Sequence, residues 1–138
     1  MAGAQVCGAP QQEGTIRKVK IMITRKDTHT VKHNEHMRGG DGTVCVTQFM
    51  TAEEAEGHGR LFAKIEIPVG GSIGYHEHNG EFEAFYIMDG EGVINDNGEE
   101  IAVLPGDFHK CPSGSGHGVR NTGDKTLVMI ALILKSEN

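Results

Sequence analysis

Short alternating segments separated by tight turns constrain the fold of this chain more than any other feature. Between positions 60 and 67, four aliphatic side chains occupy every second position, so one face of a β-strand would be apolar. The segment 95–98 reads Asn-Asp-Asn-Gly, and Asn and Gly tolerate the positive φ of the favoured hairpin turns. Apolar residues at helical period are almost absent. The pattern predicts an all-β fold, an antiparallel sandwich or barrel.

The predicted strands are spread along the chain from residue 16 onward. They cover 16–23 as a first strand or arm, 43–50, 60–67, a segment beginning near Tyr75, 83–88, 92–95, 100–104, 108–111 and 127–134. The polar segment 29–42 is predicted to be a loop. Thr51 and Glu54 match a capping box for one short helical turn. We expect residues 1–15 to form a flexible tail and 16–138 to form a single barrel domain.

Length, charge and cysteine content narrow the class of protein. With 138 residues the chain can bury a core without disulfides or a structural metal. A net charge of −6 disfavours binding to nucleic acid or to an anionic membrane. The sequence contains neither a membrane-length apolar stretch nor the charged-then-apolar order of a signal peptide. Cys7, Cys45 and Cys111 are odd in number and lack CxxC spacing, which indicates neither a disulfide framework nor a zinc knuckle. We therefore expect a cytoplasmic protein.

Four side chains that can bind a metal stand inside two frames of Gly, Pro and Asn. The frames read Gly70-x5-His76-x-His78-x4-Glu83-x6-Gly90 and Gly106-x5-Pro112-x-Gly114-x2-His117-x3-Asn121. His76 and His78 are two positions apart, so on a strand they face the same side. Glu83 follows a short polar connection and His117 comes from a later hairpin, so both could enter the same cavity. Three imidazoles and one carboxylate suit a divalent transition metal with one or two positions left for water or substrate, and not calcium or magnesium.

The two frames resemble the two-motif pattern of the cupin superfamily at every fixed position, with motif 1 at 70–90 and motif 2 at 106–121. The resemblance implies a single jelly-roll β-barrel in which His76, His78, Glu83 and His117 hold one divalent transition metal. Among cupins, the chain is similar to small single-domain proteins, including oxalate-binding manganese cupins. Manganese or iron is the expected metal, with nickel, zinc and copper behind them.

Three functions fit such a site, because a fold does not fix a reaction. The first is a metal-dependent enzyme of the lyase, decarboxylase or isomerase type that acts on a small carboxylate or polyol. The second is an Fe(II)-dependent dioxygenase, and the third is a non-catalytic protein that binds a small ligand. In each case the expected partner is a small anionic or polyhydroxylated molecule.

Substrate contacts are predicted from side chains near the ligand frames. Arg60 and Lys64 share one face of their strand, and if that face lines the barrel either could bind a substrate carboxylate. We favour the alternative that this face is solvated, because the opposite face is the aliphatic one. Phe85 is expected in the apolar cavity wall. Glu81 is a candidate for contacting the metal ligands, and Tyr75 should point away from them.

The remaining histidines stand outside the two frames. A histidine without such a context is usually a surface or core residue, so we assign no metal role to this group. Its members are His29, His33, His36, His58 and His109.

A homodimer is the expected assembly. The resemblance implies pairing through an outer sheet face, as is usual in small cupins. The closing strand 127–134 is apolar at both parities, which gives it more apolar surface than one barrel face needs. The competing interpretation is a strand buried on both faces.

Overall fold

Two antiparallel β-sheets form the fold in the computed structural model, which describes residues 22–137. The strands are β1 Thr30–Glu35, β2 Thr43–Gln48, β3 Gly59–Ile67, β4 Ser72–Glu77, β5 Glu81–Asp89, β6 Gly92–Asp96, β7 Glu99–Val103, β8 Phe108–Cys111, β9 Gly116–Asn121 and β10 Leu127–Lys135. Single-turn 3-10 helices at Lys26–Thr28 and Met37–Gly39 precede and follow β1. The prediction of an all-β fold is confirmed.

The two sheets enclose one core. The larger sheet has six strands in the order β1-β2-β3-β10-β5-β8, and the smaller has four in the order β4-β9-β6-β7. Their pairings are antiparallel, and neighbours such as β3 and β10 are far apart in sequence. Both sheets supply buried core residues, among them Ile65, Phe85 and Met129 from the larger sheet and Ile94 and Val119 from the smaller. This architecture is a jelly-roll barrel, as the resemblance implied.

Strand β10 alternates between the core and the outer face of the larger sheet. Its odd-numbered residues from Leu127 to Ile133 are at most 4% exposed, whereas the apolar residues between them are only partly buried. The interpretation of a strand buried on both faces is therefore wrong. On the outer face, β10 lies beside Phe62 of β3 and Tyr86 of β5, which are 39% and 45% exposed.

The prediction of a loop over 29–42 is wrong, because part of it forms the edge strand β1. The six residues of β1 pair with β2 in unbroken antiparallel register. None of their side chains is buried. Backbone hydrogen bonds to β2 hold this strand in place, so the sequence shows no alternating apolar pattern that could have predicted it.

Two local motifs agree with the sequence. Asn97 and Gly98 both have positive φ, 53° and 103°, in the turn between β6 and β7. The Thr51 hydroxyl accepts a hydrogen bond from the Glu54 backbone N–H at 3.0 Å, and the Glu54 carboxylate accepts one from the Thr51 N–H at 2.9 Å. This reciprocal pair is the predicted capping box.

The predictions for the N-terminal tail over 1–15 and most of the arm over 16–23 lie outside the described residues. Met22 and Ile23, which are described, belong to no strand. Among residues 22–137, no helix has the length and apolarity that a membrane crossing requires.

The cysteines differ from expectation at one position. Cys45 is disulfide-bonded, although the number and spacing of the cysteines indicated no disulfide framework. Cys111 is free and buried, and burial raises the pKa of its thiol to about 11. The cytoplasmic location depended in part on the cysteine count and stays a prediction.

Asn121, at the end of β9, fixes how the smaller sheet joins the larger one. Its side-chain amide donates hydrogen bonds of 2.9 Å to the carbonyl oxygens of Ile67 and Lys125. Its side-chain oxygen accepts a 2.9 Å bond from the Gly123 N–H. The residue is 4% exposed, so water cannot readily replace these bonds.

We predict that Asn121→Ala lowers the free energy of unfolding by about 1–3 kcal/mol, because the substitution leaves buried backbone groups without hydrogen-bond partners. Urea denaturation of the two proteins measures the difference. The neighbouring exposed Thr122→Ala serves as the control and should change stability by less than about 0.5 kcal/mol. Equal stability of Asn121→Ala and wild type would contradict this role.

Candidate metal centre

The two sheets bring the four predicted ligands to one point. His76 of β4 lies directly opposite His117 of β9 in the smaller sheet. His78 follows β4 and is held by two backbone hydrogen bonds to the loop before β9, one at 3.1 Å to Ser115 and one at 2.7 Å from Gly114. Glu83 reaches the same point from β5 of the larger sheet. One donor atom from each of the four ligands lies within 4.8 Å of the others.

The distances between donor atoms fit a single metal ion. Glu83 Oε1 is 2.9 Å from His117 Nε2, 3.0 Å from His78 Nε2 and 3.6 Å from His76 Nε2. The Nε2 atoms of His78 and His117 are 3.2 Å apart. Donor atoms bound about 2.1 Å from one ion lie about 3.0 Å apart at right angles and about 3.4 Å apart in a tetrahedron. The cluster therefore has the size of a transition-metal coordination sphere.

Each histidine ring makes its other hydrogen bond through Nδ1, on the side away from the cluster. His76 Nδ1–H donates to the Gly74 carbonyl oxygen at 2.8 Å, and His78 Nδ1–H donates to Glu81 Oε2 at 2.7 Å. These bonds place the proton on Nδ1 and turn the Nε2 lone pair toward the centre. In a metal site this arrangement fixes both the tautomer and the ring orientation of each ligand.

The third ring is supported by another histidine. His117 Nδ1 is 2.9 Å from His109 Nε2. Burial, and secondarily the nearby charge of His117, lowers the pKa of His109, so at neutral pH this ring is uncharged and its Nε2 can accept the His117 proton. Phe85 stacks on the His117 ring at 4.9 Å with an interplanar angle of 8°. Both neighbours therefore hold His117 in the orientation that points Nε2 inward.

A buried carboxylate gives the cluster its negative charge. Burial raises the pKa of the Glu83 carboxyl, but hydrogen bonds to His117, His76 and His78 outweigh burial and hold this pKa well below its ordinary value. The hydrogen bond to Glu83 is also the largest cause of the raised pKa of His78. An ionised carboxylate buried among histidines needs a positive partner, because an unpaired buried charge is costly. A divalent ion supplies that charge, so the residues present fit a bound metal.

Among the residues that the structure describes, the four ligands differ in how much of each side chain reaches solvent. The side chains of His78 and His117 are 1% and 0% exposed. Those of His76 and Glu83 are 10% and 6% exposed. We therefore expect a ligand from solvent to approach between His76 and Glu83, which we call the open edge of the cluster.

The three predicted substrate contacts, Arg60, Lys64 and Phe85, have different neighbours in the structure. The Arg60 guanidinium binds the Glu81 carboxylate through two bonds, with Nε to Oε1 at 2.9 Å and Nη2 to Oε2 at 2.7 Å. Lys64 lies on the strand face opposite Ile65 and is 3.7 Å from Glu66. Phe85 is 1% exposed and packs behind His117. Substrate binding by these residues stays a prediction.

Sequence reasoning missed one neighbour of the ligands and identified another. His109, assigned to the surface or core, contacts His117. Its position two residues before the buried Cys111 on β8 places it on the inner face, which was the available signal. Glu81, a predicted neighbour of the ligands, hydrogen-bonds to His78. Tyr75 is 47% exposed, as expected for a side chain on the other face of β4.

Comparison with known proteins agrees with this architecture. The chain matches the Cupin domain family over residues 63–133. It is 39% identical over 113 residues to an oxalate-binding protein of Thermotoga maritima, covering 82% of this chain and 93% of that one. A crystal structure from Thermotoga maritima, described as a predicted oxalate decarboxylase, has a TM-score of 0.79 and 38% identity, covering 83% of this chain and 100% of that one.

A dioxygenase also matches, over a smaller part of its length. The quercetin 2,3-dioxygenase of Bacillus subtilis is 30% identical over 73 residues, which are 53% of this chain and 22% of the dioxygenase. The barrel, the family match and the similarity to the Thermotoga protein lead to one conclusion. The chain belongs to the cupin family.

Proposed function

We propose that this cupin binds one divalent transition metal through His76, His78, Glu83 and His117, and holds a small dicarboxylate of the oxalate type at the open edge of the cluster. The observation that carries the proposal is the convergence of four donor atoms whose outward hydrogen bonds leave three Nε2 lone pairs pointing at Glu83. The similarity to an oxalate-binding protein supports this class of ligand. Manganese and iron are the metals we propose first, because the mixed nitrogen and oxygen donors suit both.

The open edge favours a compact anionic ligand. His76 and Glu83 have the most exposed side chains of the four ligands, 10% and 6%, so little of the cluster is in contact with solvent. A metal bound there supplies Lewis acidity toward the oxygen atoms of the ligand. The chain's own residues orient the metal and exclude water around it. A two-carbon diacid that chelates through two oxygens fits this edge better than a polyol or an aromatic ring.

Binding without turnover is favoured over lyase or decarboxylase activity. Such an enzyme needs a proton donor or acceptor beside the substrate. The ionisable groups that hydrogen-bond to the histidine ligands from outside, Glu81 and His109, do so through Nδ1 of His78 and His117. They therefore lie behind the ligands, away from the open edge. The Glu81 carboxylate also accepts two hydrogen bonds from the Arg60 guanidinium.

We predict about one manganese or iron per chain in protein purified without a His-tag column, and oxalate binding that requires the metal. His117→Ala should lose both, because it removes a fully buried donor. Elemental analysis and titration calorimetry measure the two properties, and His33→Ala, an exposed histidine of β1, is the matched control. Wild-type protein that takes up neither manganese nor iron would refute the proposal. Consumption of oxalate over hours would indicate catalysis and not binding alone.

A dioxygenase is the second candidate. It is supported by the nitrogen-rich donor set and by the partial match to the quercetin dioxygenase. Oxygen uptake that depends on added ferrous ion and an organic substrate would favour this activity. The narrow open edge argues against ring-sized substrates.

We further propose that the chain forms a homodimer through the outer face of the larger sheet. One row across this face contains Ile130 of β10, Tyr86 of β5 and Phe108 of β8. Tyr86 and Phe108 are 45% and 66% exposed, and Phe62 and Met88 add 39% and 51% exposed apolar side chains to the same face. Contiguous apolar surface of this kind marks protein interfaces more often than free surface.

We expect sedimentation velocity at micromolar concentration to give the mass of a dimer, and Tyr86→Lys to shift it toward the monomer. The lysine would place an unpaired charge in the apolar contact. Ile101→Lys, at a 44% exposed position of the smaller sheet, should leave the dimer intact. A wild-type monomer would disprove this assembly.

A further inference from the structure

A break in the register between β3 and β10 sets the position of Arg60. Ile133 lies opposite Leu61, and the next residue, Leu134, lies opposite Gly59. Arg60 is thus the extra residue of a β-bulge, a device that redirects a side chain relative to its strand. Gly59 is required beside it, because a Cβ at this position would overlap the Ile133 carbonyl oxygen.

The redirected side chain meets Glu81 at the start of β5. Its guanidinium donates two parallel hydrogen bonds to the carboxylate, 2.9 Å to Oε1 and 2.7 Å to Oε2. The same Oε2 accepts the Nδ1–H of His78 at 2.7 Å. The side chains of Arg60 and Glu81 are 51% and 20% exposed, and that of His78 is 1% exposed. The three residues therefore connect the surface to the buried His78 ring.

Of the three ligand histidines, only His78 donates its Nδ1 proton to a carboxylate. His76 donates to a backbone carbonyl, and His117 is bonded to the ring of His109. The Nε2 atom of His78 also has competing hydrogen-bond partners, since it lies 3.0 Å from Glu83 Oε1 and 3.2 Å from His117 Nε2. A proton on that nitrogen would be stabilised by Glu83 and would block the metal. The partner on Nδ1 therefore decides whether Nε2 keeps a free lone pair.

We propose that Arg60 is a positioning residue of the metal centre, which holds Glu81 in the orientation that keeps the His78 proton on Nδ1 and thereby sets the metal affinity. The inference rests on the metal site of the proposed function. Arg60 is suited to this task because its planar fork fixes both oxygens of the carboxylate, which a lysine cannot do. The guanidinium thus acts on the metal through two intervening side chains and without contacting a ligand of the metal.

Titration of the metal-depleted full chain with Mn²⁺ tests this role. We expect Arg60→Met to weaken manganese binding about tenfold and Glu81→Gln to weaken it about 10–100-fold. Because Arg60 acts through Glu81, the double variant should bind no more weakly than Glu81→Gln alone. Arg60→Lys should fall between wild type and Arg60→Met. Lys64→Met is the matched control from the same strand, because Lys64 pairs with Glu66 and not with Glu81, and it should bind like wild type.

Thermal unfolding of the metal-depleted variants separates positioning from general stability. Exposed ion pairs contribute little to folding, so Arg60→Met should unfold close to the wild-type temperature while binding manganese more weakly. If Arg60→Met bound manganese with wild-type affinity, the positioning role would be overturned and the proposed function would stand. The same holds if the losses of manganese affinity in Arg60→Met and Glu81→Gln added independently in the double variant. Wild-type protein that takes up no manganese would overturn both.

Discussion

The inward orientation of three imidazole Nε2 atoms around a buried carboxylate is the constraint on which the site depends. It holds only because each ring is tied from behind through Nδ1, by a carbonyl, a carboxylate and a second imidazole. Without those bonds the rings could take the other tautomer, and hydrogen bonds to Glu83 would replace metal binding. The outer partners are therefore as much a part of the proposed metal centre as the four donors.

The two sheets of the barrel meet at the ligand cluster. His76 and His117 come from neighbouring strands of the smaller sheet, and Glu83 comes from the larger one. A carboxylate that is 4% exposed and a histidine that is 0% exposed are tolerated in the core because they satisfy one another. Elsewhere the core is apolar and mainly aliphatic, and Asn121 makes a polar connection between the sheets at the end of β9.

The ligand cluster and the exposed apolar face lie on different sides of the larger sheet. Of the four ligands, His76 and Glu83 have the most exposed side chains, 10% and 6%. The apolar face around Ile130 and Tyr86 lies on the outside of the larger sheet, where the even-numbered residues of β10 point. A dimer formed there would cover apolar surface without closing the edge between His76 and Glu83, since inner and outer faces of one sheet are separated by the strands themselves.

The sequence by itself determined the β-class, most of the strands and the four donors, because these follow from period-two alternation, turn residues and fixed spacing. It could not find β1, whose exposed side chains carry no apolar pattern and whose pairing with β2 is made by the backbone. Nor could it assign partners to Arg60 and His109. Arg60 is aimed at Glu81 by a bulge opposite β10, and His109 meets His117 across two sheets. Such contacts join side chains from different strands, so only the tertiary structure decides them.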